Sequence, residues 1–255
     1  MAGNLFDLSG QVALVTGSSR GLGLVFARGL ARAGARVVLN GRSAETVEKA
    51  AGLLRGEGLD AHGAAFNVLD RSAVESAVQA IEERQGPLGI LVNNAGLQKR
   101  MPAVDVDEAT WRDVLDTNLT GVFLVSQAVG RRMVTRRRGR VVNICSLLSE
   151  AGRPTIAPYT ASKGGLKMLT KALAVEWAPF NVQVNGIGPG YFATEMNTAL
   201  VEDPQFDRWL KARTPAGRWG RPEELVGTLV YLCSEAASFV TGQIVYVDGG
   251  ILAGL

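Results

Sequence analysis

Short apolar runs alternate along the chain with longer stretches of helical periodicity. Val12–Val15, Arg36–Asn40, Ala64–Val68, Ile90–Asn93, Arg140–Cys145, Val182–Ile187 and Gln243–Val247 predict seven strands. Most are near-continuously apolar and rich in β-branched residues, as strands buried on both faces are. Helices are predicted between them over Leu22–Ala33, Ala44–Leu54, Ser72–Arg84, Trp111–Met133, Tyr159–Trp177 and Leu225–Leu232. Asp70 is positioned to cap the third helix, and Gly56, Gly58 and Gly86-Pro87 supply stops. This alternation implies one α/β domain spanning residues 1–255, doubly wound, with a seven-stranded parallel sheet and helices on both faces. Only residues 189–222 depart from it. Their polar and proline breaks surround a short amphipathic helix near Pro204–Lys211, which predicts a small lid beside the carboxyl end of a strand.

Composition narrows the field. The chain has 255 residues, 47% hydrophobic and 20% charged, which is globular and argues against disorder. A net charge of +3 suits an anionic small molecule and gives no reason to expect nucleic acid as a partner. Two cysteines, Cys145 and Cys233, neither make a metal site nor a disulfide framework, and a reducing cytoplasm is the expected setting. Neither a signal peptide nor a membrane span is predicted. The basic run Arg136–Arg140 reads as a solvated turn after a helix, and His62, the sole histidine, as a surface residue.

The first strand leads into Thr16-Gly17-Ser18-Ser19-Arg20-Gly21-Leu22-Gly23 and then a helix. A strand, a glycine turn and a helix N-terminus make a site for a dinucleotide pyrophosphate, the mark of a Rossmann domain. Beyond the second strand the residues are Leu39-Asn40-Gly41-Arg42, with no acid to hold a ribose 2′-hydroxyl. Arg42 and Arg20 suit a 2′-phosphate instead, so NADP is expected over NAD. Further on, Tyr159 and Lys163 stand four apart in a helical segment and share a face. An ammonium beside a phenol favours the phenolate, which makes Tyr159 a general base toward an alcohol or an acid toward a ketone. Ser146, at the end of the fifth strand, is placed to donate to the reacting oxygen.

Thr16–Gly23, Asn93-Asn94-Ala95-Gly96, Asn118, Ser146, Tyr159, Lys163 and Pro189-Gly190, in this order, resemble the short-chain dehydrogenase/reductase family over essentially the whole chain. The resemblance implies a catalytic set of Asn118, Ser146, Tyr159 and Lys163, with Asn118 holding a water that links the lysine to solvent. It implies cofactor contacts from Gly17, Ser19, Arg20, Gly21, Leu22 and Gly23, from Asn40 and Arg42, and from Asn67 and Val68 near the adenine. Asn67 stands where many relatives carry aspartate. Further contacts are implied from Asn94, Ala95 and Gly96, from Tyr159 and Lys163, and from Pro189, Gly190, Phe192 and Thr194. Val247–Gly250 is similar to a segment at tetramer interfaces in the family, so a homotetramer is implied.

A narrower likeness is carried by Asn93–Arg100, Ser146–Glu150, Ala157-Pro158-Tyr159, Gly188–Tyr191 and Lys211–Ala216. These segments are similar to those of members that interconvert D-gluconate and 5-keto-D-gluconate. A sugar acid is therefore the expected substrate, bound by Arg100, Ser146, Glu150 and Tyr159, with Arg100 pairing the carboxylate. Lys99 is expected to point to solvent. Glu150 and Arg153 are expected either at sugar hydroxyls or in a solvated loop. Two other readings compete: a reductase of another ketone, such as a 3-oxoacyl thioester, and a nucleotide-sensing protein without catalysis. The second is disfavoured because Ser146, Tyr159 and Lys163 are all present.

Overall fold

A computed structural model describes residues 4–254. Its seven strands are β1 (Val12–Val15), β2 (Arg36–Gly41), β3 (Ala61–Ala65), β4 (Leu88–Asn93), β5 (Gly139–Ile144), β6 (Val182–Pro189) and β7 (Ile244–Val247). They pair in parallel in the order β3-β2-β1-β4-β5-β6-β7. The order reverses direction between β1 and β4, and the crevice beyond the carboxyl ends of those two strands is where such sheets bind ligands.

Successive residues of a strand point to opposite faces. Ala13 and Val15 of β1 accordingly enter one apolar core, and Val12 and Leu14 the other. The first core receives α1 (Gly21–Arg32) through Phe26 and Leu30, α2 (Ala44–Gly56) through Val47 and Leu54, and α9 (Val226–Cys233) through Leu229 and Leu232. The second receives α3 (Arg71–Gln85) through Val78 and Ile81, α5 (Gly121–Arg136) through Val125 and Val129, and α6 (Ala157–Trp177) through Leu173. Each fully buried Leu, Ile or Phe contributes roughly 1.5–3 kcal/mol of transfer free energy.

Two expectations shift. The third strand lies at Ala61–Ala65, earlier than the apolar Ala64–Val68, because pairing of Val37–Gly41 with Ala61–Ala65 sets the register. It is one of the two edge strands, and its burial alternates instead of running apolar throughout. Phe66 and Val68 are buried past its end. The single helix expected over Trp111–Met133 is interrupted: α4 (Glu108–Leu115) passes through a π turn at Asp116–Thr120 into α5. Asp70 caps α3 by accepting from the Ala73 N–H, as expected. Between β6 and α9, the chain forms α7 (Thr198–Val201) and α8 (Pro204–Arg213), the latter started by Asp203, which accepts from the Gln205 and Phe206 N–H groups. No helix of the described residues is long and apolar enough to cross a membrane.

Candidate active site

The glycine turn is bolted to the exit of β4. Thr16 Oγ1 accepts from the Asn94 and Ala95 N–H groups, and the Asn94 amide donates to the Thr16 and Gly17 carbonyls. A Cβ on Gly23 would stand 2.4 Å from the Gly17 carbonyl oxygen, so only glycine lets α1 approach the turn this closely. At Gly21, φ is +57°, and a Cβ would meet nothing within 4 Å, so the position needs glycine for its conformation and faces open space. The first turn of α1 holds no acid, and its N-cap, Arg20, provides no side-chain cap. The N–H groups of that turn are left for an anion, which fits a pyrophosphate.

Arg20 and Arg42 are exposed, and among the described residues neither forms an ion pair. Asn40 corrects the expectation of a direct cofactor contact. It is 1% exposed, accepts from the Gly17 N–H and donates to the Ala64 and Phe66 carbonyls. Its amide is consumed in shaping the turn. Phe192 is likewise buried, its ring in the core against Gly220, which leaves its backbone alone for a ligand. Asn67 is exposed just beyond β3, its Oδ1 accepting from the Leu69 N–H, and Val68 beside it is buried. Ser19 and Leu22 are half-buried in the turn. Pro189 ends β6, the Gly190 N–H donates to the Val247 carbonyl, and Thr194 is half-buried two residues past Phe192.

Ser146, Tyr159 and Lys163 come together across the β5–α6 junction. Ser146 follows β5, and its Oγ accepts from the Leu148 N–H and faces the Tyr159 hydroxyl. Pro158 in the first turn of α6 suits a helix start and sets where Tyr159 projects. Lys163, one turn on, is 5% exposed; its Nζ donates to the Ile144 carbonyl at 2.6 Å and lies 5.6 Å from the Tyr159 ring centre. Burial dominates both titrations. It raises the Tyr159 phenol to about 12 against the opposing hydrogen bond from Ser146, and pushes the Lys163 ammonium down to about 8. The Lys163 ammonium does not offset that rise as the spacing suggested. Asn118 sits in the π turn, fully buried. Its Oδ1 accepts from the Leu97 N–H at 2.8 Å, and its Nδ2 donates to the Leu97 carbonyl and to Ser162 Oγ. The side chain thus straps the loop after β4 to α6.

A match to the family described as short chain dehydrogenase covers residues 11–205, from β1 through the turn, Tyr159 and Lys163 to the start of α8. The chain belongs to that family. Gluconate 5-dehydrogenase of Gluconobacter oxydans (strain 621H) is 55% identical over 252 residues, covering 99% of this chain and 98% of that protein. The 5-keto-D-gluconate 5-reductase of Escherichia coli (strain K12) is 52% identical over 249 residues, covering 98% of each. Among solved structures, a gluconate 5-dehydrogenase from Burkholderia cenocepacia J2315 in complex with NADP and tartrate superposes with a TM-score of 0.96 at 49% identity, covering 98% of each chain.

Two loops of this short-chain dehydrogenase flank the Ser146–Tyr159 pair. The one after β4 carries Gly96, which is exposed, and the half-buried Arg100; the other, residues 150–156, carries Glu150 and Arg153. Arg100 is partly desolvated and has no ion pair among the described residues, while burial and the Arg153 charge both disfavour its charged form. Lys99 points outward to Asp113 at 2.8 Å. Of the two settings expected for Glu150, the structure shows an exposed carboxylate that accepts from Lys167 and from the Tyr246 hydroxyl, on α6 and β7. Tyr191, Phe206 and Trp219 form an edge-to-face cluster over the same region, with Tyr191 5.6 Å from Phe206 and 6.0 Å from Trp219. The sequence reading missed the roles of Ser162 and Phe206. Neither carries a spacing signal, since each acts on a partner distant in sequence.

Proposed function

We propose that this protein is an NADP-dependent oxidoreductase that interconverts D-gluconate and 5-keto-D-gluconate, with Tyr159 as general acid and base. The observation that carries the reading is a serine–tyrosine pair over a buried lysine, with an unpaired half-buried arginine on the neighbouring loop. NADP supplies the hydride acceptor when oxidised and the donor when reduced. In oxidation, Ser146 holds the alcohol oxygen by donating to it, and Tyr159 takes the hydroxyl proton; in reduction, Tyr159 returns it. Lys163 binds the ribose, and an oxidised nicotinamide ring beside Tyr159 would add the positive charge that, together with the ammonium, favours the phenolate. Arg20 and Arg42 hold the 2′-phosphate, and the α1 N-terminus holds the pyrophosphate. Asn118 positions α6 through Ser162 and the β4 loop through Leu97.

Arg100 pairs the substrate carboxylate, which an acyl thioester lacks. The segment 189–222 acts as the lid, its aromatic cluster excluding water from the reacting carbon. The chain works as one domain in the cytoplasm, as a homotetramer, with neither membrane nor nucleic acid as partner. Met168 and Val175, one heptad apart on α6, and Phe123 on α5 are exposed apolar side chains that such an assembly covers. The test is absorbance at the reduced-nicotinamide band with gluconate, other sugar acids, polyols and 3-oxoacyl thioesters, each with NADP and NAD. Fast turnover of gluconate with NADP is expected, and turnover confined to acyl thioesters overturns the assignment.

A further inference from the structure

The loops bearing Arg100 and Arg153 are tied by one hydrogen bond, from the Met101 N–H to the Thr155 carbonyl at 3.0 Å. Thr155 makes this bond from φ +69°, a conformation costly for a β-branched residue. Strain is thus held at the one residue that draws the two loops together. Arg153 is half-buried and held from two sides. Its Nη1 donates to the Tyr191 hydroxyl at 3.2 Å, and its guanidinium carbon lies 5.3 Å from the Phe206 ring centre. Both partners belong to the segment after β6, Phe206 on α8 itself.

Two guanidiniums brought together and partly desolvated call for an acid. Among the described residues neither has one. Acids on the flanking elements are engaged elsewhere: Glu150 with Lys167 and Tyr246, Asp207 with Lys211 and the Trp219 indole, and Asp203 at the start of α8. The repulsion between the two cations is therefore left for a bound anion to relieve. Because Tyr191 accepts from Arg153, its own hydroxyl proton remains available to that anion.

We infer that Arg153 is a second specificity-determining cation, gripping the acid end of the substrate jointly with Arg100 and coupling that grip to the docking of α8. The inference rests on the sugar-acid reading above and adds to it the residue that links substrate charge to the lid. Arg153→Gln keeps a donor for Tyr191 but removes the charge. It is expected to raise the KM for gluconate at least tenfold, with kcat within about twofold and the Kd for NADP unchanged. Arg153→Lys is expected to recover most of the loss. The deciding quantity is the preference for gluconate over D-gluconamide, its uncharged isostere, read from kcat/KM or, for a slow amide, from its competitive inhibition constant. That preference is expected to fall about tenfold in Arg153→Gln.

Equal losses on acid and amide, or a lysine variant no better than glutamine, mean that Arg153 only props α8, and the inference fails while the sugar-acid reading stands. Titration of NADP-loaded protein with gluconate by calorimetry separates the other failure. If wild type binds the carboxylate, Arg153→Gln does not, and no gluconate is turned over, the proposed reaction is wrong and the role of Arg153 survives.

Discussion

Lys163 is built into a place that disfavours its charge, and this sets up an opposition between stability and activity. Desolvation moves its ammonium from 10.5 to about 8. At about 1.4 kcal/mol per unit, folding the charged form costs about 3 kcal/mol at pH 7, where the folded and unfolded chains are both mostly protonated. Lys163→Met removes that cost. It also removes the hydrogen bond to the Ile144 carbonyl, a loss of about 1–2 kcal/mol once the stranded acceptor is included. The variant is therefore expected to be about 1–2 kcal/mol more stable than wild type at pH 7, a rise in Tm of about 4 °C, while turnover falls at least about a hundredfold.

The sign of the pH dependence gives an independent check. The folded pKa lies below the unfolded one, so the unfolded chain binds more protons between about pH 8 and 10.5, and wild-type stability gains across that window. Tyr159 and Cys145, both raised by burial, oppose this at higher pH but do so in both proteins. Urea denaturation without nucleotide, at matched protein concentration, at pH 7 and 9.5 is the assay. The advantage of Lys163→Met is expected to shrink or reverse at pH 9.5. A variant less stable than wild type at pH 7, or a difference flat with pH, refutes the reasoning.

Tyr159→Phe is expected to lower kcat by about a hundredfold or more while NADP affinity by fluorescence titration stays within about twofold; near-normal turnover removes Tyr159 from its role. Arg42→Ala is expected to lower the NADP-to-NAD preference by about tenfold or more, and an unchanged ratio of kcat/KM values would leave the 2′-phosphate to Arg20 alone. Gly23→Ala drives a Cβ to 2.4 Å from the Gly17 carbonyl, a backbone group that cannot swing aside. It is expected to weaken NADP binding by an order of magnitude, measured by calorimetry, and wild-type affinity contradicts the close-approach argument. Arg100→Ala is expected to raise the gluconate KM by about 30- to 150-fold, equivalent to roughly 2–3 kcal/mol, with the NADP Kd unmoved; equal losses on gluconate and an uncharged polyol mean that Arg100 only shapes the pocket.

The amino-acid sequence by itself determined the layered fold and the turn that holds the cofactor. Continuous apolar strands and amphipathic helices have no other way to bury both faces of each strand, and Gly17 to Gly23 opens a helix directly after one of them. Tyr159, Lys163 and Ser146 were legible for the same reason: helical spacing and a strand end put them on known sides of their elements. What lay beyond it depended on partners far apart in sequence. Asn40 reads as a cofactor contact at a strand end, yet 1% exposure and bonds to Gly17, Ala64 and Phe66 make it part of the turn's interior. Asn118 reads as mid-helix, and the π turn and its hold on Leu97 and Ser162 exist only once α4, α5 and α6 pack. Glu150 was drawn to Lys167 and Tyr246, and Arg153 to Tyr191 and Phe206. Local propensity sets a side chain's element and face, but which charge it meets is a matter of loop closure, and that is decided when distant segments dock.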